Sequence, residues 1–298
     1  MGVSALEDRP CIFVVRVLNF YKRFELDSYT NHWSNIMANP YVEDIFSLDG
    51  KVSAVIGGSG VLGGTVAEAV AKAGSKVVII YNHGKDAAEE RVGDIQKQGG
   101  EAMAVHADAC FKRDLEVARD MIVSKWQKID ILINAPGVNS STPVLDIQED
   151  EWQRILNVNL KGIFFASQVF GKHMIDNEIK GSIINFSSAS SEIPLSKVFT
   201  YGISKAGVNN MTRFLAREWA AFDIRVNAVM PGFFPAEQNR KILTEERRKS
   251  IFNHTPMARY GEASELNGAI IWLASNKASS FVTGAIVPID GGFTAMTI

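Results

Sequence analysis

From Lys51 onward the chain alternates short, continuously apolar runs with longer segments of helical pattern. Because polar residues do not interrupt the runs, each predicted strand is expected to be covered on both faces, as in a parallel sheet between two layers of helices. Repeated strand–helix units with short connections form a doubly wound α/β sheet. We predict seven parallel strands, at residues 52–56, 76–80, 102–106, 129–133, 182–186, 225–229 and 285–288. The longer predicted helices are 65–73, 86–98, 112–126, 152–173 and 200–220.

The first 46 residues do not share this pattern, since they hold aromatic and charged residues without clean periodicity. Met37 begins the segment MANPYVEDIFSLDGKVSAVIGG, which reads as a natural start that runs directly into the first strand. We therefore predict an N-terminal extension at residues 1–46, disordered or not native, followed by a single domain at 47–298. Two alternatives stay open for residues 1–36: a segment upstream of the true start, or a short helix that packs on a partner subunit.

Composition excludes several classes of protein. A formal net charge of -2, without a clustered Lys/Arg face, argues against nucleic-acid binding. Two cysteines cannot form a disulfide framework and suit a reducing compartment. No apolar run reaches the roughly 18–20 residues that cross a bilayer, and the charged first ten residues do not resemble a secretory signal. We expect a soluble, cytoplasmic protein with a small-molecule substrate, without a membrane partner or a metal site.

Glycines crowd the turn between the first predicted strand and the helix after it. Gly58, Gly60 and Gly63 match the spacing GxGxxG, in which glycine allows a tight turn and a close approach of the backbone to a pyrophosphate. Free amides and the positive end of the helix dipole would face the phosphates. The match predicts the dinucleotide site of a Rossmann fold. The alternative is a turn that needs glycine only for its shape.

The end of the second strand bears on the choice between NAD and NADP. A carboxylate there would accept hydrogen bonds from the adenosine ribose and favour NAD, but the sequence reads IYNHGK from Ile80 to Lys85. His83 and Lys85 suit a 2′-phosphate, so we predict NADP or NAD with a modest preference for NADP. The alternative is that both are solvated loop residues.

Tyr201 and Lys205 stand four residues apart, which places them on one face of the predicted helix. An ammonium beside a phenol favours the phenolate and lowers its pKa, which suits a general acid–base that interconverts an alcohol and a carbonyl. Such a pair is common by chance, but two further residues strengthen it. Ser188 follows the fifth strand at the sheet edge where ligands bind, and Asn159 lies within the preceding long helix.

Over about residues 47–298 the chain resembles the short-chain dehydrogenase/reductase family. The matching segments are the glycine turn at 57–63, AD at 107–108, NAPG at 134–137, Asn159, NFSS at 185–188, YGISK at 201–205, NAVMPG at 227–232 and VTGAIVPIDGG at 282–292. The resemblance implies an NAD(P)-dependent oxidoreductase whose catalytic residues are Asn159, Ser188, Tyr201 and Lys205. It also implies self-association as a homotetramer or homodimer.

The resemblance also assigns residues to the cofactor. Asp108 would cap the adenine, Asn134 would hold the sheet near the cofactor, and Lys205 would bind the nicotinamide ribose. The full implied set is Gly57, Ser59, Gly60, Val61, Leu62, Asn82, His83, Asp108, Ala109, Asn134, Ala135, Tyr201, Lys205, Pro231, Gly232 and Phe234. The chain departs from the family pattern at Ile56, Val61, Pro136 and Ala236. We expect these departures to change cofactor geometry and affinity rather than the type of reaction.

Four segments carry a closer resemblance to the D-mannonate oxidoreductase (fructuronate reductase) branch of that family: PGFFPAEQNR at 231–240, HTPMAR at 254–259, PLSK at 194–197 and KASSFVTG at 277–284. They imply a sugar acid such as mannonate or fructuronate. A carboxylate needs a cation, and Arg is its strongest partner. The predicted substrate-binding residues are Asn139, Ser188, Gln238 and Arg240, with Lys197, Asn239 and His254 as further candidates. For each the alternative is a solvated loop residue. The polar segment 233–258, interrupted by proline, is typical of a substrate lid.

Rival functions stay open at this point. Within the family they are a 3-oxoacyl thioester reductase and another polyol or sugar dehydrogenase. Outside catalysis the rival is a nucleotide-sensing regulator. The hydrophilic EQNR segment at 237–240 disfavours the thioester reductase, and the intact Asn-Ser-Tyr-Lys set disfavours the regulator.

Overall fold

The computed structural model describes residues 39–235 and 244–296. A seven-stranded sheet in the order β3-β2-β1-β4-β5-β6-β7 forms its centre, and every neighbouring pair of strands is parallel. The strands are β1 (Val52–Ile56), β2 (Lys76–Tyr81), β3 (Ala102–His106), β4 (Ile131–Asn134), β5 (Ser182–Phe186), β6 (Arg225–Pro231) and β7 (Ile286–Ile289). The predicted doubly wound parallel α/β sheet is confirmed.

Helices connect the strands. The α-helices are α1 (Pro40–Phe46), α2 (Val61–Lys72), α3 (Lys85–Lys97), α4 (Lys112–Trp126), α5 (Glu149–Leu156), α6 (Gly162–Asp176), α7 (Phe199–Trp219), α8 (Glu245–Asn253) and α9 (Asn267–Ala274). A turn of π-helix at Asn157–Lys161 joins α5 to α6. None of the helices in the described part of the chain is long and apolar enough to cross a membrane.

Burial on both faces of the sheet explains why its strands are continuously apolar. All five residues of β1 are buried. Val55 belongs to a core that includes Val66 of α2 and Ile270 of α9. Its neighbour Ala54 belongs to a second core that includes Leu115 of α4. Since successive side chains of a strand point to opposite faces, the two cores lie on the two sides of the sheet.

Several predicted helix bounds are wrong. The helix predicted at 152–173 is divided into α5, the π turn and α6, because sequence periodicity does not register a local change of helix type. Helix α2 begins at Val61, four residues before the predicted start, since Gly60 already serves as its N-cap. Two helices were not predicted. Helix α8 lies inside the segment interpreted as a lid, and the apolar run of α9 is too short to show a helical period.

The N-terminal region is described only from Asn39 onward. Pro40 opens α1, at a helix position where a missing N–H has no consequence. By its internal contacts the chain divides into two units, Met1–Asp44 and Ile45–Ile298, and all seven strands lie in the second. Both hypotheses on residues 1–36 lie outside the described residues. The domain boundary at residue 47 stays a prediction.

The strand order positions the candidate site. β1 pairs with β2 on one side and with β4 on the other, so the order reverses between β1 and β4. Ile56 and Asn134, the last residues of these two strands, are register partners. In open α/β sheets a crevice forms at this switch point, outside the carboxyl ends of the strands, and ligands bind there.

Candidate active site

A cavity of about 730 Å³ opens at the carboxyl edge of the sheet. Its walls come from the turn after β1, from the segments after β4, β5 and β6, and from helices α7 and α8. The predicted site residues that line it are Gly57, Gly60, Val61, Leu62, Ala135, Asn139, Ser188, Tyr201, Lys205, Pro231, Gly232 and Phe234. One cavity therefore brings together the predicted cofactor turn, three of the predicted catalytic residues and two of the predicted substrate residues, Asn139 and Ser188.

The turn after β1 is tightly built. Gly57 has a φ of 75°, and a Cβ on it would lie 2.8 Å from the carbonyl oxygen of Ala135. A Cβ on Gly63 would overlap the carbonyl oxygen of Gly57. Gly60 caps α2 without a side-chain hydrogen bond, so the first N–H groups of that helix are left for a ligand. A bare glycine backbone at an uncapped helix N-terminus fits the pyrophosphate of a dinucleotide.

Tyr201 and Ser188 meet on the cavity wall. Tyr201 lies in the first turn of α7, and Ser188 follows β5 as the N-cap of the 3-10 turn Ala189–Ser191. Burial raises the pKa of the Tyr201 phenol above its ordinary value, and a hydrogen bond with the Ser188 side chain opposes that rise. The two hydroxyl groups are adjacent, so a single substrate oxygen can reach both.

Lys205 lies one turn further along α7 and is 2% exposed. Its Nζ donates to the carbonyl oxygen of Phe186 at 2.7 Å and lies 5.7 Å from the centroid of the Tyr201 ring. Burial lowers the pKa of Lys205 to about 8. The expectation of a phenol with a lowered pKa is corrected here. Both groups are buried, and burial disfavours the charged form of each.

Asn159 lies in the π turn Asn157–Lys161 and is fully buried. Its amide oxygen accepts from the N–H of Val138 at 2.8 Å, and its Nδ2 donates to the carbonyl of the same residue at 2.9 Å. A Cβ on Gly137 would lie 4.0 Å from the amide oxygen of Asn159 and 3.9 Å from Nζ of Lys205. Asn159 therefore sits behind the cavity lining and fixes the segment after β4 that forms part of that lining.

Ser190 is a cavity residue that the sequence did not single out. Its hydroxyl donates to Oγ of Ser188 at 3.0 Å, and its N–H donates to the same atom at 3.3 Å. Both bonds occupy the acceptor positions of the Ser188 oxygen, which leaves the Ser188 hydroxyl hydrogen to point elsewhere. The serine-rich run that follows β5 indicated that hydroxyl groups gather there. Only the fold shows that Ser190 orients Ser188.

Some of the predicted cofactor residues do not line the cavity; they are Ser59, Asn82, His83, Asp108, Ala109 and Asn134. Asn134 is fully buried in β4, and its Nδ2 donates to the amide oxygen of Asn185 on β5 at 2.9 Å. That bond suits the predicted role of holding the sheet near the cofactor. Asp108 accepts from the N–H of Cys110 at 2.8 Å in the loop after β3. Direct contact of these residues with a cofactor stays a prediction.

The loop after β2 is joined to the glycine turn. Ser59 Oγ donates to the carbonyl oxygen of His83 at 2.9 Å. Asn82 and His83 are exposed, whereas the preceding Tyr81 is buried and packs edge-on against His106 with ring centroids 5.5 Å apart. An exposed loop without a carboxylate therefore follows β2.

The predicted substrate residues have mixed outcomes. Asn139 lines the cavity and is exposed. Gln238 and Arg240, together with Asn239 and Ala236, lie outside the described residues.

Two further substrate candidates do not line this cavity, and their roles stay predictions. Lys197 lines a neighbouring cavity instead, at a left-handed turn with a φ of 64°. His254 packs its ring against Phe293, with centroids 4.8 Å apart, and is absent from the cavity lining. Spacing in the sequence could not place either side chain, because the way each loop folds back on the sheet decides whether the side chain faces this cavity.

Other residues complete the lining around those predicted for the cofactor and the substrate. They are Gly63, Pro136, Gly137, Val138, Phe186, Ser187, Ala189, Ser190, Leu195, Val198, Phe233, Pro235 and Arg247. Arg247 and Lys205 are the charged side chains in the described part of this lining. Arg247 reaches the cavity from α8, a helix that was not predicted.

Most of the chain is similar to known proteins. A family model described as "Enoyl-(Acyl carrier protein) reductase" matches residues 59–294. The chain is 37% identical over 270 residues to the uncharacterized oxidoreductase UxuB of Bacillus subtilis (strain 168), covering 84% of this chain and 96% of that protein. It is 34% identical over 253 residues to 2-dehydro-3-deoxy-D-gluconate 5-dehydrogenase of Escherichia coli (strain K12), covering 84% and 98%.

Solved structures are similarly close. The crystal structure of a gluconate 5-dehydrogenase from Burkholderia cenocepacia J2315, in complex with NADP and tartrate, superposes with a TM-score of 0.81. The two chains are 31% identical, and the match covers 86% of this chain and 100% of that one.

Proposed function

We propose that this chain, which belongs to the short-chain dehydrogenase/reductase family and is an NAD(P)-dependent oxidoreductase, interconverts a secondary alcohol and a ketone on a sugar acid. Membership follows from the family model and from relatives at 34–37% identity that cover most of both chains. The mannonate–fructuronate pair is our candidate for the substrate and product.

The observation that carries the proposal is the shared cavity, which has the glycine turn at one part of its wall and Tyr201, Ser188 and Lys205 at another. When bound, the nicotinamide supplies or accepts the hydride at the reacting carbon. Tyr201 gives its phenolic proton to the carbonyl oxygen during reduction and takes a proton from the hydroxyl during oxidation. Ser188 donates a hydrogen bond to the same oxygen.

Lys205 favours the proton transfer electrostatically. Its cationic form would stabilise the phenolate that Tyr201 becomes after giving up its proton. The buried bond from Nζ to the carbonyl of Phe186 fixes the ammonium at the end of β5, beside the α7 turn that carries Tyr201. Ser190 holds the oxygen of Ser188, so the Ser188 hydroxyl is oriented before the substrate arrives.

Polar groups in the cavity support a hydroxylated, acidic substrate. The segment after β5 lines the cavity with three serine residues, Ser187, Ser188 and Ser190, and Arg247 adds a cation. Hydroxyl groups of a sugar chain need such partners because an unpaired polar group in a closed site is costly. The Escherichia coli and Burkholderia relatives, which carry names of sugar-acid dehydrogenases, support the same class.

The test is a substrate panel of sugar acids, neutral polyols and acyl thioesters, read by the absorbance of the reduced nicotinamide with wild-type protein and Tyr201→Phe. We expect turnover of a sugar acid, and a loss of about 10²–10⁴-fold in kcat for Tyr201→Phe with NADPH binding nearly intact, since only the hydroxyl group is removed. Preference for a thioester would favour the 3-oxoacyl reductase. Tight NADPH binding without turnover of any panel member would favour a nucleotide-sensing regulator. Near-wild-type turnover by Tyr201→Phe would overturn the assignment of the acid.

We propose NADP over NAD as the preferred cofactor. The support is the exposed loop after β2, where Asn82 and His83 stand in place of a carboxylate and Ser59 joins the loop to the glycine turn. A carboxylate would repel a 2′-phosphate, and this loop lacks that obstacle. Steady-state assays with each cofactor test the preference, and a higher kcat/KM with NAD would contradict it.

We also propose that the chain self-associates as a homodimer or homotetramer. The support is a set of large apolar side chains on α6 and α7 that stay exposed in a single chain: Phe164, Ile203 and Phe214. Exposed apolar patches larger than a few hundred Å² usually mark an interface, and we propose that these side chains belong to one. Sedimentation velocity measures the mass directly, and a monomer at micromolar concentration would refute the proposal.

A further inference from the structure

Arg247 differs from its neighbours on α8. It lies in the first turn of that helix, where its N–H donates to Oγ of the N-cap residue Thr244 at 3.2 Å. Glu246 and Arg248 on either side are exposed, whereas Arg247 is half-buried and its side chain lines the cavity. The helix therefore presents one cation to the cavity and its other charges to solvent.

The charge of Arg247 is unmatched within the described part of the chain. Its Nη1 donates to Oγ of Ser196 at 2.7 Å, and no Asp or Glu of the described residues lies within ion-pair distance. Two other arginines of this region are paired, Arg248 with Glu245 and Arg259 with Glu265, each at 2.7 Å. A guanidinium has five N–H donors, so one bond to a hydroxyl leaves most of its donors for a ligand.

No carboxylate side chain belongs to the described lining of the cavity. Lys205, the other cation there, is committed to the carbonyl of Phe186 next to Tyr201. The catalytic hydroxyl groups and the unmatched guanidinium belong to different elements that line the cavity: Ser188 to the turn after β5, Tyr201 to α7 and Arg247 to α8. A substrate with an oxidisable carbinol and a separate anionic group matches this division.

We infer that Arg247, held in place by Ser196, is the residue that binds the substrate's carboxylate and so selects sugar acids over neutral polyols. This inference rests on the proposed function. The planar guanidinium accepts a carboxylate through two parallel hydrogen bonds, which fixes the direction of the sugar chain as well as its charge. Ser196 orients the guanidinium from the loop after β5, so it acts as a positioning residue.

The experiment compares Arg247→Met and Arg247→Lys with the matched control Arg248→Met on the holoenzyme. Steady-state constants are measured for the best sugar acid of the panel and for the alditol that bears CH₂OH in place of its carboxylate, and NADPH affinity is measured by fluorescence titration. For Arg247→Met we expect KM for the acid to rise about 10–100-fold, the range that a charged hydrogen-bond pair supports. Kinetics with the alditol and NADPH affinity should not change. Arg247→Lys should recover part of the loss, Ser196→Ala should raise KM by a smaller factor, and Arg248→Met should match wild type.

Each other outcome overturns the inference in a distinguishable way. Wild-type KM for the acid in Arg247→Met, with sugar-acid turnover intact, rejects the carboxylate role and leaves the proposed function standing. Equal losses on the acid and the alditol indicate a role in shaping the cavity. A weakened NADPH affinity assigns Arg247 to the cofactor phosphates. Absence of wild-type turnover on every sugar acid rejects the proposed function and this inference with it. Far-ultraviolet circular dichroism and melting temperature identify any variant that fails to fold. If Arg247→Met fails to fold, the KM of Arg247→Lys for the acid, compared with its KM for the alditol, decides the inference.

Discussion

The turn after β1 allows the packing of the cofactor end to be tested with a matched pair of substitutions. Gly57 combines a φ of 75° with a close backbone neighbour, since a Cβ there would lie 2.8 Å from the carbonyl oxygen of Ala135. Gly50 has a similar φ of 69° and nothing within 4 Å of its Cβ position. Left-handed backbone costs an alanine about 1–2 kcal/mol, and overpacking against a rigid neighbour adds about 1–3 kcal/mol. Gly50→Ala has the first cost alone, and Gly57→Ala has both.

We therefore expect Gly50→Ala to lower the free energy of unfolding by about 1–2 kcal/mol and Gly57→Ala to lower it by about 2–5 kcal/mol. Ala135, the residue that must move, lines the cavity. For that reason the Kd for NADPH should rise about tenfold or more in Gly57→Ala, which corresponds to roughly 1.4 kcal/mol, and stay unchanged in Gly50→Ala. Urea unfolding and fluorescence titration measure the two quantities. Equal destabilisation by both substitutions would refute the packing argument, and an unchanged Kd in Gly57→Ala would refute the location of the cofactor.

Two further predictions concern buried charges. Asp130 is 4% exposed, accepts from the N–H of Val52 at 3.0 Å and pairs with Lys51 and Lys128 at 3.1 Å. Asp130→Ala should lower the free energy of unfolding by about 3 kcal/mol because bonds to a charged acceptor are lost, with KM unchanged. The control Asp176→Ala removes an exposed ion pair with Lys172 and should change the free energy of unfolding by about 1 kcal/mol or less, so similar losses in the two urea curves would contradict the difference. Burial lowers the pKa of Lys205 from 10.5 to about 8, so between those pH values the unfolded chain holds more protons than the folded protein and this residue makes the folded protein more stable as pH rises. The unfolding free energy of wild type minus that of Lys205→Met should therefore increase from pH 7.5 to 10, and a difference that is flat or falls with pH would count against a buried ammonium.

Much of the fold followed from local patterns. The strands were predicted within one or two residues because runs such as those of β1 and β5 are apolar on both faces and end at clear turns. The glycine turn followed from spacing, since a tight turn into a helix restricts which residues can stand there. The family and the type of reaction are confirmed, whereas the residue roles and the mannonate branch stay proposals.

Some features of the structure have no strong local signal. The π turn that carries Asn159 spans only five residues, too few to stand out in an apolar period read over the whole segment, so a single long helix was predicted in its place. Lys197 and His254 were predicted as substrate residues by polarity and by their neighbours in the chain, and neither lines the cavity, because polarity does not reveal which side of a loop faces it. Arg247 was missed for the same reason.

The sequence by itself determined the sheet, the glycine turn and the pairing of Tyr201 with Lys205, because each depends on periods and spacings within a few residues of chain. Only the tertiary structure decided what surrounds these groups. Ser190 meets Ser188 at 3.0 Å, Arg247 meets Ser196 across a gap of 51 positions, and the pKa of Tyr201 rises instead of falling. Segments that are distant in the chain set both the hydrogen-bond partners of these side chains and their burial from water. The free energy of a charged group depends on both.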